Sequence, residues 1–328
     1  MHGTGDVWAI VLAGGDGTRV RDLTRGPNGA SAPKQYCSFG GGQSLLGLAL
    51  GRARSVVGPE RVVTVVAEQH RPWWEAELGR VPGGIPAENV VVQPSNRGTA
   101  VGVLLGLLRV VSRQGPVARV LVLPSDHAVA DEETLGRHLE RGILATRQDP
   151  GRVVLLGMTP EALDTDYGWI LSSDAAGGLA RPVVEFQEKP DAASSQRLMD
   201  RGALLNTFIF TARAATLLNL YQRVMPELLR RFLPRLSKPE AWARDVLWRL
   251  YRTLRSRDFS REVLERCPEF LSVVRVPPCG WSDLGTPARL RSFEEQRARD
   301  AGRLNRRHAG FRATLTPRPT TANEGLLT

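Results

Sequence analysis

Three groups of residues have types and spacings suited to phosphate chemistry. The first is Leu12-Ala13-Gly14-Gly15-Asp16-Gly17-Thr18-Arg19, which follows the apolar run Val7–Leu12. Glycines let a backbone turn tightly and turn its N–H groups toward an anion. The loop is not a P-loop, because GxxxxGK[ST] needs a Gly-Lys pair and the chain has none. It is not the dinucleotide fingerprint either, because Val20 stands where the third glycine is required. What remains is a glycine-rich turn closed by Arg19, with Pro33-Lys34-Gln35 downstream. Arg19 and Lys34 together suit a triphosphate.

The second group is marked by lysine usage. Of 44 basic residues only Lys34, Lys189 and Lys238 are lysines, and two of them sit in Pro33-Lys34-Gln35 and Glu188-Lys189-Pro190. Lysine offers a compact, rotatable point charge that a planar guanidinium does not reproduce. Its retention in an arginine-biased chain points to chemistry at both places.

The third group is a pair of carboxylates. Asp126 follows an apolar run in Leu123-Pro124-Ser125-Asp126-His127, and Asp283 lies in Gly280-Trp281-Ser282-Asp283-Leu284-Gly285. Each aspartate alone reads as a cap or turn former. Beside an anion loop, the two together suit one Mg²⁺, which takes few carboxylates and fills its shell with water and phosphate oxygens. His127 invites a general-base role, but reads as structural.

Elements must bring these groups together. Val7–Leu12, Val62–Ala67, Val90–Gln93, Val120–Leu123 and Val153–Met158 are β-branched runs of strand length. Ser44–Val57, Thr99–Ser112 and Glu132–Arg147 read as helices between them, the last with Leu135, Leu139 and Ile143 on one face and Asp131 as its cap. Such alternation predicts an α/β fold, a mostly parallel mixed sheet with helices on both faces. Ligands in such sheets gather at the carboxyl ends of strands. Further strands are expected at Trp169–Ser172, Val183–Gln187, Leu205–Phe210 and Leu271–Val276, with a strongly helical stretch between Ala212 and Arg266.

Composition narrows the class. The chain has 328 residues, and its 42% hydrophobic and 24% charged content is that of a globular protein. No apolar run approaches the ~20 residues of a membrane-spanning helix, and the N-terminus has no secretory pattern. Cys37, Cys267 and Cys279 share no CxxC spacing, which argues against a disulfide framework or zinc site and fits a reducing cytoplasm. The net charge of +10 reads as a general arginine preference and not as a nucleic-acid device. Residues 297–328 carry seven Arg against Asp300 and Glu324. We expect one catalytic domain over 1–295 and a basic, flexible tail over 296–328.

Seven motifs occur in order: Gly14-Gly15-Asp16-Gly17-Thr18-Arg19, Pro33-Lys34-Gln35-Tyr36, Pro124-Ser125-Asp126-His127, Asp166-Tyr167-Gly168-Trp169-Ile170, Glu185-Phe186-Gln187-Glu188-Lys189-Pro190, Leu205-Asn206-Thr207 and Gly280-Trp281-Ser282-Asp283. Over roughly residues 7–290 the chain resembles the sugar-1-phosphate nucleotidyltransferase family, and is most similar to its bacterial mannose-1-phosphate guanylyltransferases. The resemblance implies a Rossmann-like nucleotidyltransferase fold. It implies Mg²⁺-dependent transfer of a nucleoside monophosphate, from GTP, to a hexose 1-phosphate such as mannose 1-phosphate, with release of pyrophosphate. It also implies roles. Leu12, Ala13, Gly14 and Gly15 would lie along the nucleotide, with Arg19 and Lys34 on its phosphates and Gln93 and Arg97 near the base. Asp126 and Asp283 would ligate the metal. Gly168, Glu188 and Asn206 would bind the sugar, and Lys189 its phosphate.

The chain departs from the family pattern at three places. Asp22 stands where Pro is common, Gly98 where Asn is common, and Phe208 where Gly is common; the Phe208 ring is expected to narrow the sugar pocket. Competing readings are a nucleotide-sugar-binding regulator without turnover and a transferase for another base and sugar. The oligomeric state is left open, with a homodimer as one option.

Overall fold

The computed structural model describes residues 5–24, 31–39, 42–174 and 178–295. Nine strands form one sheet: β1 (Val7–Ala13), β2 (Val62–Ala67), β3 (Val90–Gln93), β4 (Arg119–Pro124), β5 (Val153–Met158), β6 (Gly168–Ser172), β7 (Arg181–Glu188), β8 (Leu204–Arg213) and β9 (Leu271–Val276). Every run expected as a strand is one. The helices are α1 (Leu45–Val56), α2 (Arg71–Gly79), α3 (Thr99–Gln114), α4 (Glu132–Gln148), α5 (Ala192–Asp200), α6 (Ala214–Val224), α7 (Pro226–Phe232), α8 (Pro234–Ser237) and α9 (Arg244–Tyr251). Residues 287–295 form one more helix. The tail expected over 296–328 lies outside the described residues.

The strand order is β3-β2-β1-β4-β8-β5-β9-β7-β6. The parallel pattern expected from the front half covers β3, β2, β1 and β4. Beyond β4 the pairings are antiparallel except β5–β9. β6 also pairs with β8, so the last five strands close a circuit of pairings. The cause is β8, which is reached from β7 through α5 and enters antiparallel between β4 and β5. Periodicity within a strand carries no information about that neighbour.

Helices cover both faces, and β1 shows how the sequence arranges this. Trp8 and Ile10 face one core with α3, α6, α7 and α9, while Val7, Ala9 and Val11 face the other with α1, α2, α4 and α5. A strand buried on both faces reads as a continuous apolar run. The α3 helix, apolar nearly all round, is buried from Ala100 to Leu108. Truncating Leu104 or Leu105 to alanine would cost about 2–5 kcal/mol. Asp131 caps α4 as expected, accepting from the Thr134 N–H at 2.9 Å.

Candidate functional site

The glycine loop leaves the carboxyl end of β1, Asp126 follows β4, and Asp283 follows β9. Chain ends so placed share a rim, and an isolated bridge locks two of them together. Ala128 and Ser282 exchange backbone hydrogen bonds at 2.9 and 3.0 Å. Ala130 and Asp131 N–H groups add bonds to the Cys279 carbonyl at 3.1 and 2.9 Å. Asp126 stands two residues before this bridge and Asp283 one residue after it, so the backbone itself sets the two aspartates side by side.

Lys34 joins them. Its buried ammonium lies 3.0 Å from Asp126 Oδ2 and donates to the Asp283 carbonyl oxygen. The rest of its motif holds the glycine loop. Gln35 Nε2 donates to the Gly15 and Ala13 carbonyls at 2.7 and 3.2 Å, and the Tyr36 hydroxyl donates to Ala13 at 3.1 Å. With loop carbonyls engaged on this side, the glycine stretch is fixed from below. Asp16, on the loop, is held in turn by Gln69 Nε2 at 3.0 Å and His70 Nε2 at 3.3 Å.

Asp283 is oriented by donors on one oxygen. Tyr167 Oη, the Gly285 N–H and Arg289 donate to its Oδ1 at 2.9, 2.9 and 3.0 Å. Its Oδ2 has no hydrogen-bond partner among the described residues. Arg289 comes from the 287–295 helix, lies 4.3 Å above the Tyr167 ring and also pairs with Asp164. Burial opposes ionisation of Asp283, but the His127 ring, the Arg289 guanidinium and the Gly285 N–H outweigh it, and its carboxyl titrates below its ordinary range. Burial likewise opposes ionisation of Asp126, and the Lys34 ammonium leads the interactions that pull it down. Both are carboxylates at neutral pH.

His127 is held between Trp281 and Asp126, its Nε2 3.7 Å from Asp126 Oδ1. Its Nδ1 accepts from Trp281 Nε1 at 3.2 Å, which leaves the proton of the neutral ring on Nε2. Burial pushes its pKa down to about 4, so it is uncharged at pH 7.

The residues expected at a sugar converge. Gly168 pairs with Glu188 across β6 and β7. A Cβ at position 168 would fall 2.6 Å from Glu188 Oε2 and 3.3 Å from Asn206 Cβ, so the missing side chain makes room for the carboxylate. Burial and the nearby Asp258 push the Glu188 pKa up to about 7. A π-helical turn at Ser260–Leu264 packs behind these residues. Ser260 Oγ accepts from Asn206 Nδ2 at 3.4 Å, and Glu265 accepts from the Glu188 N–H at 3.3 Å. Single π turns of this kind are frequent at functional sites. Lys189 is exposed, at φ 53°, with its ammonium 4.0 Å from Glu188.

Gln93 and Arg97 also come to the rim. Gln93 is buried against Gly14, where a Cβ would fall 2.2 Å from its Nε2, and its Oε1 accepts from Tyr251 Oη at 3.3 Å. Arg97 donates to the Tyr251 carbonyl at 3.1 Å. Gly98 has φ 84° and ψ 169°, a region open essentially to glycine alone. The Arg257 carbonyl would lie 2.2 Å from any Cβ there. The departure from Asn at this position is thus a backbone requirement of this chain. Arg19 and Asp22 are exposed on the turn Thr18–Thr24, and no hydrogen bond or ion pair joins Arg19 to the other site residues among the described residues. The Phe208 ring lies edge-on to Phe210 and Phe259, 6.0 Å from each, in the aromatic core. Phe208 is only half-buried, and its N–H donates to Asn206 Oδ1 at 3.1 Å.

The two aspartates fit a Mg²⁺. Together they supply the one or two carboxylates that the ion takes when substrate phosphates and water complete its shell. No cluster of three or more acidic, His or Cys side chains that could hold a metal exists among the described residues, so a cage made by protein alone is not what is built here. Sequence reading missed Tyr167 and Arg289 around Asp283, Tyr251 behind Gln93, and the Gln69–His70 hold on Asp16. Only Tyr167 carried a signal, its place beside Gly168 in a quoted motif.

An α/β sheet with a glycine loop, a lysine and two aspartates at its carboxyl rim defines a nucleotidyltransferase. The family model described as nucleotidyl transferase matches residues 8–299, and the chain belongs to that family. It is 30% identical over 302 residues to the xanthan biosynthesis protein XanB of Xanthomonas campestris pv. campestris, covering 89% of this chain and 60% of that protein. It is 27% identical over 289 residues to the mannose-1-phosphate guanylyltransferase of Escherichia coli K12, covering 85% and 58%. The chain thus spans about 60% of the length of the curated relatives it matches. Among solved structures, one from Thermus thermophilus described as a mannose-1-phosphate geranyltransferase superposes with TM-score 0.71 at 29% identity, covering 85% of this chain and 76% of that one.

Proposed function

We propose that this chain transfers a guanylyl group from GTP to mannose 1-phosphate, giving GDP-mannose and pyrophosphate. The observation that carries the reading is Lys34, which links both aspartates beneath the glycine loop. Relatives named mannose-1-phosphate guanylyltransferase support the choice of substrates. A phosphate oxygen of the sugar 1-phosphate attacks the α-phosphorus of GTP. The bond from that phosphorus to the bridging oxygen breaks, and pyrophosphate leaves with the electron pair.

The nucleophile needs no general base. The second pKa of a phosphate monoester is near ~6, so the attacking oxygen is largely anionic at neutral pH. That agrees with a neutral His127 held by Trp281. The difficulty is bringing a dianion up to a triphosphate. Two unit charges 4 Å apart repel by about 1 kcal/mol in water and about 4 kcal/mol at an effective dielectric of 20. Lys34, with Arg19 and Lys189 from the rim, offsets that repulsion, so the chain's work is positioning and electrostatics. Asp126 and Asp283 would hold a Mg²⁺, which when bound neutralises phosphate charge on the leaving group. Glu188, Asn206 and the space at Gly168 would receive the sugar.

The test is a matrix of four nucleoside triphosphates against several hexose 1-phosphates, read as pyrophosphate released in Mg²⁺. GTP with mannose 1-phosphate should dominate. A different dominant pair would replace the substrate assignment. Nucleotide binding without pyrophosphate release from any pair would sink the transferase reading.

A further inference from the structure

A cavity of about 220 Å³ lies away from Lys34 and the aspartates, at the β3 edge of the sheet. Its chemistry comes from Glu68, Arg71, Arg109, Trp242, Arg244 and Trp248, over an apolar floor from β3. Three guanidiniums meet one carboxylate there, and that carboxylate is already shared. Glu68 accepts from Arg71 at 2.9 and 3.2 Å and from Arg244 at 3.4 Å. Arg109 has no acid in the lining. Its guanidinium stacks 3.9 Å over the Trp242 ring, and its Nε is buried with no hydrogen-bond partner among the described residues. The acid that acts on Arg109, Glu88, lies outside the cavity and is already paired with Arg113 at 3.2 Å. A cation taken partly out of water with so little anionic compensation is costly, and a ring face offsets only part of that cost. Trp248, 39% exposed, offers a second aromatic face beside Arg244. The lining is therefore complementary to an anion that carries a flat ring.

The cavity walls continue into the residues that hold the nucleotide loop. Glu68 opens the turn Glu68–His70, whose other two residues hold Asp16. Trp248 lies on α9, which ends at Tyr251, the partner of both Gln93 and Arg97. Pro94, another wall residue, follows Gln93 directly.

We propose that this cavity is an effector site for a small anion bearing a planar ring, and that filling it alters nucleotide affinity through α9 and the Glu68–His70 turn. The binding half stands apart from the reaction assigned above; the coupling half rests on nucleotide binding at the glycine loop. The test titrates the full chain with phenyl phosphate by calorimetry, beside inorganic phosphate and cyclohexyl phosphate. Phenyl phosphate should bind saturably at one site and more tightly than either control. Loss of a charge-assisted contact should weaken it at least ~tenfold in Arg109→Gln and in Arg244→Ser. Arg244 is exposed, so its variant keeps the fold if Arg109→Gln does not. Saturating phenyl phosphate should shift the Kd for GTP about fivefold or more in the wild type, the low end of measured site-to-site coupling, and not in Arg244→Ser. Binding that is absent, or unchanged in both arginine variants, would overturn the site. Binding lost in the variants without any GTP shift in the wild type would overturn the coupling. Failure of the transferase reading would show instead as absent pyrophosphate release with phenyl phosphate binding intact.

Discussion

Replacing Gly168 by alanine isolates the part played by Glu188. The added methyl would fall 2.6 Å from Glu188 Oε2, 3.2 Å from the Phe186 ring and 3.3 Å from Asn206 Cβ. Carbon contacts are comfortable near ~3.5 Å, so the ring and Asn206 need give only slightly, while the carboxylate must withdraw by roughly 1 Å. The backbone itself accepts alanine, because Gly168 is not among the positive-φ glycines. At an alkaline assay pH, above its pKa of about 7, Glu188 is ionised. There a displaced carboxylate forfeits a hydrogen bond from a sugar hydroxyl, worth about 1.5–3 kcal/mol for a charged acceptor, or roughly 10- to 150-fold in affinity. Initial rates of pyrophosphate release at saturating GTP should therefore show KM for the sugar phosphate raised by that factor, with KM for GTP and Tm little changed. In a Glu188→Ala background the same substitution should add almost nothing. An unchanged sugar KM, or an equal cost with and without Glu188, would refute the assignment of Glu188 to the sugar.

Four other outcomes follow from the same geometry. Glu188 has a folded pKa of about 7 against an ordinary 4.5; the folded state binds the extra proton, so stability falls as pH rises across that window, and Glu188→Gln should flatten the fall in melts taken from acid to neutral pH. Gly98→Asn, the residue common in the family, should destabilise by about 1–3 kcal/mol through backbone strain, seen as a lower denaturant midpoint with unchanged slope. Arg289→Ala removes one of the three donors on Asp283 Oδ1, leaving Tyr167 and the Gly285 N–H, and should raise the Mg²⁺ concentration for half-maximal rate about 10-fold or more, as loss of a ligand's supporting partner does, with rescue by Arg289→Lys incomplete. Lys34→Arg should lower kcat/KM by about 10², with nucleotide binding retained by calorimetry, and a near-normal rate would remove the case for a point charge there.

Legibility in the sequence followed what each feature depends on. Strands buried on both faces, such as β1, β2, β4 and β5, are contiguous apolar runs and were legible for that reason, whereas β7 is largely exposed or half-buried and showed only through its short Val183-Val184 and Phe186 pattern. Their order was not, because β8 is placed by its pairing with β4 and β5 and not by its own pattern. Short helices suffered similarly: α2 and α5 lie in stretches whose apolar faces are brief. Among site residues, those inside motifs with unusual chemistry stood out, Lys34 by its rarity and Asp126 and Asp283 by their lone places among small and apolar neighbours. Arg289 is chemically as specific, since it grips Asp283 and stacks on Tyr167, but one arginine in an arginine-rich chain carries no signal. The role of Tyr251 arises from tertiary contact across more than 150 positions of sequence, which no local pattern encodes.

The contrast between the two motif lysines shows why rarity alone is a partial guide. Lys34 is buried and its donors divide between a carboxylate after β4 and a carbonyl after β9. These acceptors arrive from different chain ends and need not share a plane. An ammonium's three rotatable donors satisfy such a pair, whereas a guanidinium fork favours coplanar acceptors and brings more volume into the gap. Lys189 faces no such constraint in its exposed position 4.0 Å from Glu188, and its unusual backbone angle, not its side-chain packing, fixes where the charge sits. In an arginine-biased chain, one lysine is explained by the shape of its surroundings. The other calls for an explanation outside the protein's own contacts, and a mobile point charge that meets an incoming phosphate supplies one.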